Sequence, residues 1–140
     1  MYDHGLLAPV AALILWTLVI WIWMYATRLP AMSSSGVDPQ AAKHPGSLDG
    51  LPSWARQVAD NYNHLMEQPT IFYAAALALH VQGETNPINI GLAWAYVTLR
   101  VAHSLVQCTV NIVALRFMLF TLSTLALMAL AVHLALALFH

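Results

Sequence analysis

Residues 56–69 read RQVADNYNHLMEQP, and the spacing inside this stretch decides how the chain is built. Arg56, Asp60, Asn63 and Glu67 recur at intervals of four, three and four, which puts them on one stripe of a helix. Gln57, Asn61, His64 and Gln68 repeat the interval on the neighbouring stripe, while Val58, Ala59, Tyr62, Leu65, Met66 and Pro69 occupy the opposite arc. The rest of the chain reads as apolar helix of membrane-spanning length. Polar and ionisable groups at membrane depth are costly, and such groups mark a functional site by default.

Composition supports that frame. Of 140 residues, 60 % are hydrophobic and 8 % are charged, against roughly 25 % charged in an ordinary soluble domain. This excludes a soluble enzyme and a disordered tail. A formal net charge of -1 provides no basic patch, so no nucleic-acid partner is expected. The single Cys108 excludes an internal disulfide and a cysteine-rich zinc site. The seven His residues are scattered without a paired metal-ligand spacing, so no metal is expected.

Outward from the opening stretch, the chain divides into four expected spans in one domain, at about 6–26, 53–81, 88–110 and 115–139, each near the roughly 20 residues that cross a hydrocarbon core. The first carries Trp16, Trp21, Trp23 and Tyr25, lacks a basic leader, and is expected to be a retained helix. Residues about 28–52, with Ser33-Ser34-Ser35-Gly36 and Pro30, Pro39 and Pro45, are expected to form a loop in which Lys43 and His44 are solvated. Ser53 is a candidate N-cap for the second span, and Pro69 is expected to kink it. Gly83-Glu84-Thr85-Asn86-Pro87 reads as a tight turn.

The third span carries a second polar seam: Tyr96, Arg100, His103, Ser104, Gln107 and Asn111 fall within a roughly 100° arc. The fourth is apolar apart from Arg116, several hydroxyls and His133, and reads as a packing or lipid-facing helix. Together these features predict an all-α, integral membrane up-down bundle. Arg28, Lys43, Arg56 and Arg116 flank the first loop and the third connection, so the positive-inside rule predicts a cytoplasmic first loop. Glu67 and Arg100 then lie at equal depth, roughly 16 Å from the cytoplasmic helix ends, and are candidates for an ion pair beside a wet cavity. The bland alternative is a buried pair that sets helix register without a ligand. For His103 it is an interhelical hydrogen bond, and for Tyr62, Tyr73 and Tyr96 it is packing.

The segment RQVADNYNHLMEQPTIFY, from Arg56 to Tyr73, resembles the second-helix signature of the MAPEG proteins (membrane-associated proteins in eicosanoid and glutathione metabolism), and LRVAHSLVQCTVN, from Leu99, resembles that family's third helix. The length, the four apolar segments and the long first loop also match. The resemblance implies a homotrimer with glutathione held between protomers. It further implies conjugation, isomerisation or reduction of a lipophilic substrate that arrives from the bilayer, and short loops suit a bacterial inner membrane.

Carried onto this chain, the resemblance implies that Glu67 receives the amino group of glutathione and that Arg100 faces the site. Either Asn63 or His64 takes the place of the family's asparagine. Arg56, Asp60, Gln107, Asn111 and Ser104 complete the expected binding set. Arg100 or Arg116 would stabilise the thiolate, with His103 or Ser104 as hydrogen-bond partner. The chain departs from the family pattern at three places. Asp60 stands where the enzymes have an arginine, Val101 and Leu105 where they have tyrosines, and Asn111 or Ile112 where they have a later arginine. Two other classes therefore stand beside the transferase or peroxidase: a non-catalytic binding or assembly protein of the same fold, and a small proton- or solute-conducting bundle.

Overall fold

The computed structural model describes residues 4–34, 36 and 51–139. Among these the chain is all-helical, with no strand: α1 (Leu7–Ser34), α2 (Ser53–Leu65), α3 (Pro69–Val81), α4 (Pro87–Cys108) and α5 (Val113–Phe139). The expected loop residues Lys43, His44, Pro39 and Pro45 lie outside the described residues.

Among the described residues two helices are long and apolar enough to cross a membrane, α1 and α5, each with a mean hydropathy of 2.2 over its best window. Most of each window is exposed on the protein surface. Leu15, Leu18 and Ile22 of α1 and Leu125, Met128 and Leu136 of α5 all face outward. A helix that is apolar on its outer face as well as its inner one needs lipid or another chain around it. Residues 28–34 were expected in the loop but continue α1 as helix through Ser34. Two hydroxyls near this end are satisfied within the helix: Thr27 Oγ1 donates to the Trp23 and Met24 carbonyls at 3.1 and 3.0 Å, and Ser34 Oγ to the Ala31 carbonyl at 3.3 Å. Ala31 and Met32 pack with Leu51 and Ala55, which gives the extra turn an apolar partner.

The second expected span is two helices. Pro69 opens α3 and has no N–H to return to the carbonyl four residues back. The backbone tightens instead: Met66, Glu67, Thr70 and Ile71 donate to carbonyls three residues earlier, at 3.1, 3.2, 3.2 and 2.9 Å. The kink is a full turn between two short rods. Past it, the apolar α3 buries Phe72, Ala75, Ala76 and Leu79, and Phe72 stacks on Tyr96 of α4 with centroids 4.5 Å apart.

Asn86 caps α4 by accepting from the Asn89 N–H at 2.9 Å, with Pro87 in the first turn. The helix stops at Cys108 because Asn111 takes a positive φ of 51° and returns its N–H to the Val106 carbonyl at 2.6 Å. Asn111 therefore does not extend the α4 seam, as its spacing predicted; it belongs to the turn into α5. The most extensive packing joins α4 to α5, and α1 lies against α2, α3 and α4. The start of α1 is pinned to the end of α3, where the Leu6 N–H donates to His80 Nδ1 at 3.4 Å. Gly5 makes this approach possible: its φ is +53°, and a Cβ there would meet Thr85 Cγ2 at 2.8 Å and His80 Nδ1 at 2.9 Å.

Candidate functional site

The two polar stripes of the opening stretch take opposite environments. Arg56, Asp60, Asn63 and Glu67 are all exposed, whereas Gln57, Asn61, His64 and Gln68 turn inward and are buried or half-buried. Each inward residue finds a partner on α4, on α5 or in the turn between them. Gln57 Nε2 donates to the carbonyls of Cys108 and Thr109 at 3.0 and 3.1 Å, which satisfies acceptors left over at the end of α4. Asn61 Nδ2 donates to Gln107 Oε1 at 2.9 Å in a fully buried pair. Gln68 links two helices, accepting from the Tyr96 hydroxyl at 3.1 Å and donating to Thr124 Oγ1 at 3.0 Å.

His64 meets Arg100. A guanidinium has no acceptor, so at 2.7 Å its Nη2 donates and His64 Nδ1 accepts, which leaves the proton of a neutral ring on Nε2. The Glu67–Arg100 pair expected from equal depth is not formed. Glu67 stands at the outward edge of the turn, whereas Arg100 is fully buried. Three aromatic rings enclose the cation. His64 and His103 stack at 5.0 Å with their planes 14° apart. Phe120 of α5 meets His64 edge-on at 5.3 Å and lies 5.7 Å from the guanidinium carbon.

What distinguishes this cluster is the set of polar atoms it leaves without partners. Arg100 is 0 % exposed, yet its Nε and Nη1 have no hydrogen-bond partner; neither do the buried His103 Nδ1, Ser104 Oγ and Arg116 Nε. An unmatched buried polar group costs about 1–3 kcal/mol, and more when charged. Buried polar groups in folded proteins are otherwise almost always paired. Four of the five atoms are obligate or available donors, so the set suits an anion or an acceptor-rich ligand. A cleft of about 290 Å³ reaches the cluster, lined by His64, His103, Val113, Arg116, Phe117 and Phe120.

Of the residues singled out from sequence, the fold thus brings His64, Arg100, His103, Ser104 and Arg116 into one neighbourhood. Gln107 is buried beside them, bound to Asn61. Arg56, Asp60, Asn63 and Glu67 are on the outer face, with Glu67 near enough to act electrostatically on His64 and Arg100. Asn111 sits in the turn, with its Oδ1 buried and unpartnered. Of the α5 contribution, Arg116 was singled out from the sequence, whereas Phe120, Ser123 and Thr124 were not, because the rest of that helix reads as packing. Its signal was present: Val113, Arg116, Phe120, Ser123 and Thr124 follow intervals of three, four, three and one, so one face of α5 carries the cation, the ring and the hydroxyls.

Among the described residues the fold is all-helical, with two membrane-type helices and a buried cation, as suits a membrane protein. A family model described as the MAPEG family matches residues 6–136, nearly the whole chain, and the protein belongs to that family. No curated protein and no solved structure gives a significant match.

Proposed function

We propose that the protein is a glutathione-dependent membrane transferase or peroxidase acting on a lipophilic electrophile. In this reading it is a single four-span domain in an up-down bundle, assembled as a homotrimer in a bacterial inner membrane with the first loop cytoplasmic. Glutathione binds between protomers.

The observation that carries the reading is Arg100, a fully buried guanidinium with two unpartnered nitrogens beside unpartnered His103 and Ser104. Such a group is uncompensated until an anion reaches it. The residues present fit glutathione, which combines two carboxylates, an ammonium and a thiol. When bound it supplies a sulfur nucleophile. Arg100 and Arg116 hold positive potential on the cleft, where a thiol would lose its proton. His103 and Ser104 Oγ would donate hydrogen bonds to a nearby oxygen or sulfur. Glu67, Asn63, Asp60 and Arg56 form a stripe of mixed charge on the surface. In the assembly this stripe meets the neighbouring protomer and receives the zwitterionic part of glutathione, with Glu67 on the ammonium. Gln107 supplies an amide deeper in, and Asn111 one from the α4–α5 turn.

Leu105 and Val101 present no hydroxyl on α4, which favours as second reading a binding or assembly protein of the same fold that does not turn over. Calorimetric titration of glutathione into detergent-solubilised protein, with Glu67→Gln and Arg100→Ala alongside, tests the binding. Saturable binding that both variants lose is expected. No binding by a folded wild type at millimolar glutathione would sink the proposal. Turnover of 1-chloro-2,4-dinitrobenzene or a lipid hydroperoxide then separates the enzyme from the second reading.

A further inference from the structure

A second polar cleft lies at the opposite end of the molecule, between the α3–α4 turn and the last turns of α5. Its volume is about 380 Å³, and Glu84, Asn86, Ile88, Asn89, His133, Leu136 and Ala137 line it. It shares no lining residue with the cleft at Arg116 and His103.

The hydrogen bonds fix what this cleft can offer. Asn89 Nδ2 donates to the Glu84 carbonyl at 2.9 Å, which settles the orientation of the amide. The Asn89 carbonyl oxygen therefore faces His133 Nδ1, 2.6 Å away, and that nitrogen must carry the proton. A neutral His133 then has Nε2 as a bare acceptor. Asn86 Oδ1 is engaged by the Asn89 N–H. Glu84, the one acidic residue of the lining, thus stands with an imidazole acceptor and an apolar wall of Ile88, Leu136 and Ala137.

Among the described residues no Lys or Arg side chain compensates Glu84. Every Lys or Arg among them lies elsewhere: Arg28 near the end of α1, Arg56 in α2, Arg100 in the second half of α4 and Arg116 at the start of α5. Two acceptors beside an apolar wall call for a donor-rich positive group that carries a hydrocarbon chain.

We propose that this cleft binds the primary ammonium of an amphiphile, with Glu84 as counter-ion, His133 Nε2 as hydrogen-bond acceptor, and the chain against Leu136 and Ile88. Two sources share this chemistry: an ethanolamine-headed phospholipid of the surrounding bilayer, and a free long-chain amine. A quaternary choline headgroup has no N–H to give and fits less well.

The full-length protein is placed in nanodiscs of equimolar phosphatidylethanolamine, phosphatidylcholine and phosphatidylglycerol with identical acyl chains, and retained lipid is counted by native mass spectrometry. Glu84→Gln is measured beside the wild type, with its fold confirmed by circular dichroism and gel filtration. In parallel, dodecylamine and its N,N,N-trimethyl analogue are titrated by calorimetry in nonionic detergent. Retention of the ethanolamine lipid over the choline lipid by about tenfold, abolished by Glu84→Gln, supports the lipid source; that ratio is what one charge-assisted hydrogen bond supplies. Dodecylamine binding that needs Glu84, without a lipid preference, supports the free amine. Equal retention of all three lipids, together with dodecylamine uptake indifferent to Glu84→Gln or to trimethylation, overturns the proposal. None of these readouts depends on glutathione.

Discussion

The two polar stripes of residues 56–68 have the same spacing, but one is mostly charged and the other mostly amide, and they take different environments. The inward stripe is hydrogen-bonded to α4, α5 and their connection at each of its four members. The outward stripe, with three of its four members ionisable, is exposed along its whole length. Polar residues on one short amphipathic helix can therefore hold the chain's own fold together or stay exposed to something outside it. The difference is a rotation of about 100° around one helix axis. Arg100 stands at the boundary: one nitrogen is tied to the inward stripe through His64, while two others are unsatisfied.

That contrast can be broken experimentally, and the largest effect is expected at Arg100. Replacing it with Met removes an uncompensated buried charge but keeps the volume. The ligand-free Arg100→Met protein should therefore be as stable as wild type or more so in thermal unfolding, while glutathione affinity falls at least about a hundredfold. A buried charge that loses its bound anion costs about 3–5 kcal/mol, which sets this scale. If Arg100→Met unfolds at much lower temperature, the guanidinium is a structural member and the boundary is misdrawn.

Asn61→Ala comes next and probes the inward stripe. It strands Gln107 Oε1 in the interior and should cost about 1–3 kcal/mol, read as a lower denaturation midpoint. Asn61→Ala should bind glutathione normally at temperatures where it is folded. A variant that is fully stable but blind to glutathione would move Asn61 from scaffold to site.

The outward stripe should give the smallest change in stability. Asn63→Ala and Glu67→Gln are each expected within about 0.5 kcal/mol of wild type, the usual range for exposed positions. Their effect should appear in glutathione affinity and in the oligomer population by analytical ultracentrifugation. Destabilisation of 2 kcal/mol or more without any change in binding would make the stripe part of the protomer's own packing.

Much of this organisation was legible in the chain. The period of the α4 seam picked out Tyr96, Arg100, His103, Ser104 and Gln107, and all five are buried. Pro69 marked the break in the second rod, because a missing N–H is a property of the residue alone. Asn111 was misplaced because its spacing continues the seam, while its positive φ ends the helix before it is reached. Its αL conformation is one that Asn tolerates but does not require.

Glu67 and Arg100 were matched by depth, a coordinate along the axis, and missed each other because rotation about the axis decides which side chains face. Phe120 and Thr124 were overlooked for a related reason: on an apolar helix the ring and the hydroxyl look like packing until a cation and an amide arrive opposite them. Composition and periodicity settled that the chain is helical, that it is suited to a membrane, and which residues share a stripe, since these follow from local backbone geometry and the cost of exposing apolar surface. Which stripe turned inward, which partner each polar group met, and that Arg100 was left with two nitrogens unmatched were decided by the packing of α2, α4 and α5, because the contact of side chains across helices depends on their mutual rotation, a quantity that no single segment contains.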